Sequence, residues 1–173
     1  MDEFLNYVLL LVLLDTGMRV SELCGLRVED VLVSGSQGAF VRVFGKGRKE
    51  REIGLHPEVS KLLWKYIQKY RHPNHPDEKA LFLGRRGEPF QVSGINSLLK
   101  RVKKASGIDG VRVLAHTFRH TFAKYYLKRG GEVFKLSREM GHSTVQVAEV
   151  YLFRHMSDNL TEFFQYRASF KEH

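Results

Sequence analysis

From Phe4 to Leu14 the chain reads FLNYVLLLVLL, apolar on nearly every side of a helix. Such a helix has almost no polar face to offer water, so it belongs inside, with other elements packed around it. It is too short to cross a bilayer, Asp2 and Glu3 precede it, and no small-residue cleavage site follows. It therefore reads neither as a membrane span nor as a signal peptide. A chain of 173 residues is long enough to build one domain with a real core around that helix.

The rest of the chain supplies what wraps it. The first helix runs to Asp15 and ends at Thr16-Gly17, and Ser21 is placed to cap a second short helix carrying Glu22 and Leu23. After a turn rich in Ser and Gly, Ala39 to Phe44 is β-branched and aromatic and reads as a strand. Gly45-Lys46-Gly47 turns the chain tightly, and Arg51-Glu52-Ile53 returns as a second strand of a basic hairpin. Pro57 opens a helix to about Tyr70, with Val59, Leu62, Leu63, Tyr66 and Ile67 on its core face. Ala80 to Leu83 suggests a short strand. Helices then follow over Ser93–Ser106, His116–Arg129, Glu132–Met140, Val145–Val150 and Ser157–Arg167. No repeat or linker intervenes, so the expected fold is a single domain over 1–173, mostly α with a small antiparallel β-sheet (α+β).

Charge narrows the class of partner. Lys+Arg number 28 against 19 for Asp+Glu, a net charge of +9. Such a surface attracts polyanions, nucleic acid first among them, although a merely solubilising surface has the same composition. Cys24 is the only cysteine, which excludes an internal disulfide and a Cys-based zinc site. Flanked by Leu23 and Gly25-Leu26, it reads as a small buried hydrophobe in a protein suited to a reducing cytoplasm.

A handful of polar residues carries chemistry. Arg19 stands just past the buried helix on a turn fixed by Gly17, where its planar fork can be aimed at two phosphate oxygens. Glu22, three residues on, is placed to orient it; the plainer alternative is a surface helical pair. Gly45-Lys-Gly-Arg-Lys-Glu-Arg51 is either a solvated basic turn or a lysine finger for a groove of DNA. On the helix beginning near His116, a 100° step puts His116, Arg119, His120 and Ala123 on one face, and Phe118, Phe122 and Tyr125 on the other. The aromatic side is expected to bury that helix and leave His116 and Arg119 facing a site. The His116-x-x-x-His120 spacing makes a poor zinc motif, with no carboxylate between and no third ligand evident. Gly141-His142-Ser143 follows a helix end, and Tyr151 closes the next short helix. Arginines, a lysine, histidines and a tyrosine together are a set able to hold a phosphodiester and attack it without a metal.

In that order, these residues resemble the tyrosine recombinase (phage integrase, Xer-like) family. Thr16-Gly-Met-Arg19-Val-Ser-Glu22-Leu is similar to its first box, and Gly45-Lys46-Gly-Arg-Lys-Glu-Arg to its hairpin lysine motif. Ala115-His116-Thr-Phe-Arg119-His120-Thr-Phe-Ala123 and Met140-Gly-His142-Ser resemble its second box, with Tyr151 at the nucleophile position. Departures are slight: Ala115 where proline is frequent, Met140 where leucine is usual, and Leu152-Phe-Arg after the tyrosine. None removes a reactive group.

The resemblance implies a DNA strand-breaking and rejoining enzyme. Tyr151 attacks the scissile phosphate to give a 3′-phosphotyrosine and a free 5′-hydroxyl, with neither metal nor ATP nor other cofactor. Arg19 and Arg119 clamp the non-bridging oxygens, His142 adds a hydrogen bond, His116 accepts or relays the tyrosine proton, and Lys46 protonates the leaving oxygen. Arg48, Lys49, Lys100, Arg101, Lys103 and Lys104 are then expected on backbone phosphates of double-stranded DNA. Other protomers, as a tetramer on paired sites, are the implied partners, in the cytoplasm on the nucleoid. Relatives carry an N-terminal helical clamp domain, which is expected to be absent here. Two rivals share the fold: a type IB topoisomerase, and a DNA-binding module without catalysis.

Overall fold

The computed structural model describes residues 3–34, 38–45, 50–107, 109–110 and 113–141. Their order is α1 (Glu3–Thr16), α2 (Val20–Gly25), a 3-10 turn (Val28–Asp30), β1 (Val31–Ser34), β2 (Gly38–Phe44), β3 (Glu50–Leu55), α3 (Pro57–Lys69), α4 (Val92–Ser106), α5 (Ala115–Lys128) and α6 (Val133–Glu139). The expected helices at Val145–Val150 and Ser157–Arg167 lie outside the described residues.

The apolar helix is the centre of the fold. Leu5, Val8, Leu9, Val12 and Leu13 of α1 are buried, and Phe4, Leu10, Leu11 and Leu14 pack against the core from its flanks. α3, α5 and β3 each pack on it, which answers the demand of a helix without a polar face. Each such leucine or valine removed from water contributes about 2 kcal/mol. Among the described residues no helix is long and apolar enough to cross a membrane.

The sheet runs in the order β1-β2-β3, antiparallel throughout, with Val41 of β2 opposite both Val31 and Ile53. Ala39, Val41, Val43, Ile53 and Leu55 turn inward and are buried. On β3 the alternation continues one step further out: Arg51 shares the inward side with Ile53 and Leu55 and is half-buried. α3 starts at Pro57 behind His56, whose amide donates to Asp15 Oδ2 at 2.7 Å. The end of α1 is thereby tied to the start of α3.

Several expectations needed correction. β1, at the sheet edge, is an added strand; its four residues follow directly on the 3-10 turn, and so short a run shows little alternation. Ala80–Leu83 makes only isolated bridges, Arg27 to Ala80 and Leu83 to Pro89. Its backbone is satisfied elsewhere: Leu81 N donates to Leu26 O at 2.7 Å, Leu83 N to the Tyr66 hydroxyl at 3.1 Å, and Arg71 Nε to Ala80 O at 3.0 Å. Ser21 does not cap α2. That position belongs to Arg19, whose backbone amide donates to Glu22 Oε2 at 2.7 Å, so the carboxylate three residues on does the capping. Cys24 is half-buried rather than buried, and burial pushes its thiol up to about 11, far from a nucleophile's range.

α1 stops where it does because Gly17 takes a left-handed φ of 57° and its amide donates to Leu13 O at 3.1 Å. The Phe122 ring of α5 occupies the space a Cβ at Gly17 would need. Gly107, which caps α4, has the same backbone sign at φ 64° but open space around it. Gly107→Ala should therefore cost about 1–2 kcal/mol of backbone strain alone. Gly17→Ala should cost at least about 1 kcal/mol more, because Phe122 must also move. Urea unfolding of the two variants checks this, and equal losses would show that the ring does not seat against the turn.

Candidate active site

Arg19 begins α2 with a side chain that is 43% exposed, while the Glu22 carboxylate beneath it is 6% exposed. Glu22 Oε1 accepts from Arg19 Nη1 at 3.0 Å, so the pair expected from sequence exists. It is more than a surface pair. Arg51 reaches in from β3 and grips the same carboxylate with both terminal nitrogens, Nη1 to Oε1 at 3.1 Å and Nη2 to Oε2 at 2.9 Å. With the Arg19 amide, Glu22 accepts four hydrogen bonds, one for each lone-pair direction of a carboxylate.

Arg119 is the second anchored guanidinium. On α5 it is 4% exposed, with Nη1 donating to Gly17 O at 2.8 Å and Nη2 donating to Met140 O. A terminal guanidinium nitrogen carries two hydrogens, so a carbonyl bond fixes the plane of the fork with one of them. Arg119 thus spans from the turn just before Arg19 to the end of α6, just before Gly141-His142. The expected division of α5 into an aromatic buried face and a polar open one does not hold. Phe118 is buried, but Phe122 and Tyr125 are only half-buried, and Arg119, Thr121 and Ala123 are as deep as Phe118. The cause is that α5 is covered on more than one side: α1 and α4 pack on it, and α6 meets it through Ala123, Leu136 and Met140. His116 is exposed and stands edge-on to His120, ring centroids 4.2 Å apart at 90°.

Among the other residues singled out from sequence, Lys46, Arg48, Lys49, His142 and Tyr151 lie outside the described residues. The first three fall between Phe44 and Glu50, the paired ends of β2 and β3. α4 carries its basic residues away from Ile95, Leu98 and Leu99: Lys100, Arg101 and Lys104 are exposed and Lys103 half-buried. It packs against both α2 and α5, the helices bearing Arg19 and Arg119. A cationic flank beside the arginines suits a polyanion lying across them. Among the described residues no group of three or more His, Cys, Asp or Glu is arranged to hold a metal.

Sequence reasoning missed Arg51 as a functional residue, though the signal was present. It is the last residue of the basic hairpin motif, and strand alternation places it on the side of Ile53 and Leu55. A charge on the buried side of a strand demands a partner.

Burial raises the Glu22 carboxyl, but the bonds from Arg51 and from the Arg19 amide outweigh it, and the net shift is downward. A lowered folded pKa means that the ionised carboxylate stabilises the fold above the unfolded value, about 4.3, and that this stability is lost as pH falls through the folded value. Glu22→Gln should be less stable than the parent at neutral pH, with the gap closing below about pH 4. Urea titrations across that range check it; a gap that stays constant into acid would mean the carboxylate is not held in its charged form.

Comparison with known proteins places the chain in a family. The model of the Phage integrase family matches residues 2–158, a span that takes in Tyr151. The tyrosine recombinase XerC of Corynebacterium glutamicum is 34% identical over 151 residues, covering 87% of this chain and 47% of that protein. The tyrosine recombinase XerD of Staphylococcus epidermidis is 37% identical over 139 residues, covering 79% of this chain and 45% of that one. A crystal structure of XerA recombinase superposes with a TM-score of 0.76 at 29% identity, covering 95% of this chain and 57% of that chain. The chain therefore spans about half the length of the curated relatives it matches. By a match over nearly its whole length, the chain belongs to the phage integrase family.

Proposed function

We propose that residues 1–173 form the catalytic unit of a site-specific DNA recombinase that breaks and rejoins strands through a covalent 3′-phosphotyrosine. The observation that carries this reading is the joining of the two arginines: Arg119 donates to Gly17 O, on the same turn that launches Arg19. Guanidiniums rooted in one turn are suited to one phosphate. Family membership and relatives named as tyrosine recombinases support the same conclusion.

In the proposed step the Tyr151 oxygen bonds to phosphorus, the bond to the 5′-oxygen breaks, and Lys46 gives that oxygen a proton. The next step reverses the first with a 5′-hydroxyl from another strand, so the energy of the phosphodiester is kept. An unperturbed phenol is only about 0.1% ionised at pH 7, a deficit of about 4 kcal/mol. His116 takes or relays the proton that Tyr151 loses. Charge that builds on the non-bridging oxygens is met by Arg19, Arg119 and His142, in the way preorganised donors lower such barriers. The partners in this proposal are double-stranded DNA and further protomers, four on a pair of sites, acting in the cytoplasm. Arg48, Lys49, Lys100, Arg101, Lys103 and Lys104 hold backbone phosphates without reading sequence.

Incubation with a nicked suicide duplex carrying the element's end should yield a covalent protein–DNA band that is absent for Tyr151→Phe. Arg19→Ala and Arg119→Ala should each slow its formation by about two to three orders of magnitude. Non-covalent DNA binding should weaken steeply between about 50 and 200 mM salt. A band that survives Tyr151→Phe, or no band from the parent protein, refutes the proposal.

A further inference from the structure

Arg51 joins three stretches of the chain: its side chain bonds to two of them, and its backbone belongs to the third. Its Nη1 and Nη2 hold Glu22, which in turn holds Arg19. Its Nε donates to Glu139 O at 2.7 Å, at the end of α6 that leads into Gly141-His142. Its own backbone is opposite Val43 on the paired strands from which the Lys46 segment springs. The group is well enclosed, at 12% exposure, so each of these bonds is made away from bulk water. Gly141 completes the seat: a Cβ there would meet Arg51 Cζ and Nη1 at 3.2 Å, and its φ is 64°. Absence of a side chain at 141 is what lets the planar guanidinium lie against the turn.

We propose that Arg51 is a positioning residue for strand transfer, setting Arg19 through Glu22 and tying it, through the Glu139 carbonyl and its own strand β3, to the end of α6 and to the β2–β3 pair. The inference rests on the catalytic reading above. It deepens that reading by assigning a role to a residue whose guanidinium is spent on Glu22 and the Glu139 carbonyl. Only arginine fits the task, because one rigid fork must meet two carboxylate oxygens and a carbonyl in a fixed plane; a lysine offers a single point charge. Without Arg51, the enclosed Glu22 keeps only its bonds to Arg19, and nothing fixes the direction from which it pulls.

Single-turnover cleavage of the nicked duplex by the full chain tests this, at saturating DNA and alongside thermal melts. Arg51→Gln should lower the cleavage rate constant about a hundredfold, as small misplacements of catalytic groups do, with DNA affinity changed less than about threefold. Arg51→Lys, which keeps the charge and guards against failure to fold, should recover affinity and melting temperature but little of the rate. In an Arg19→Ala background the effect of Arg51→Gln should shrink, because the part of it that passes through Glu22 no longer has Arg19 to position. An unchanged rate, or an undiminished effect in that background, overturns the proposal and leaves Arg51 a purely structural staple. Failure of the parent protein to form the Tyr151-dependent band would sink the strand-transfer reading instead. The order of the Arg19 Nε–H group, read by 15N relaxation in the DNA-free protein, then decides for Arg51. Loss of that order in Arg51→Gln upholds positioning, and its retention refutes it.

Discussion

Two enclosed guanidiniums, Arg51 and Arg119, hold α2 and the turn before it against the end of α6. Each makes bonds to both sides: Arg51 to Glu22 and Glu139 O, Arg119 to Gly17 O and Met140 O. Burying a cation is costly unless every contact is well aimed, so these side chains tolerate little drift in either segment. Adjacent carbonyls at 139 and 140 are taken by different arginines from different elements. The end of α6 is therefore fixed in direction as well as in place. A site assembled from distant stretches of sequence needs such fixed points, because catalytic groups misplaced by an ångström lose most of their effect.

The apolar helix gives those clasps something rigid to act on. α1 is packed by α3, α5 and β3, and its end is set by Gly17, with Phe122 seated against it. Arg19 follows within two residues. The most exposed of the anchored arginines is thus separated from the deeply buried end of α1 by one tight turn. α4, packed on α2 and α5, extends this frame with a basic flank suited to a long polyanion.

Much of this was legible in the residues themselves. The all-round apolar pattern of Phe4–Leu14 demanded a central buried helix, and 3.6-residue spacing marked α3 and α4 closely, because in each one face alone meets the core. The hairpin declared itself through Gly45-Lys-Gly and its flanking strands. β1 escaped notice since four residues show too little alternation, and the polar face of α5 was misjudged since periodicity cannot say that a helix is covered on more than one side. Arg119 on that face is buried by partners that stand 102 and 21 residues away in sequence. Strand alternation marked Arg51 as a charge on the inward side of β3, but its partners stand 29 and 88 residues away, and no local pattern names them.

Whether Arg19 and Arg119 serve one phosphate is the point on which the functional reading turns. A crystal structure of the protein on a nicked duplex, with Tyr151→Phe to halt the reaction, measures it directly. The expected result is that both guanidiniums lie within hydrogen-bonding distance of the scissile phosphate, with the bonds from Arg119 to Gly17 O and Met140 O still in place. Arginines on separate phosphates, or an Arg119 that stays enclosed and touches no DNA, would contradict it.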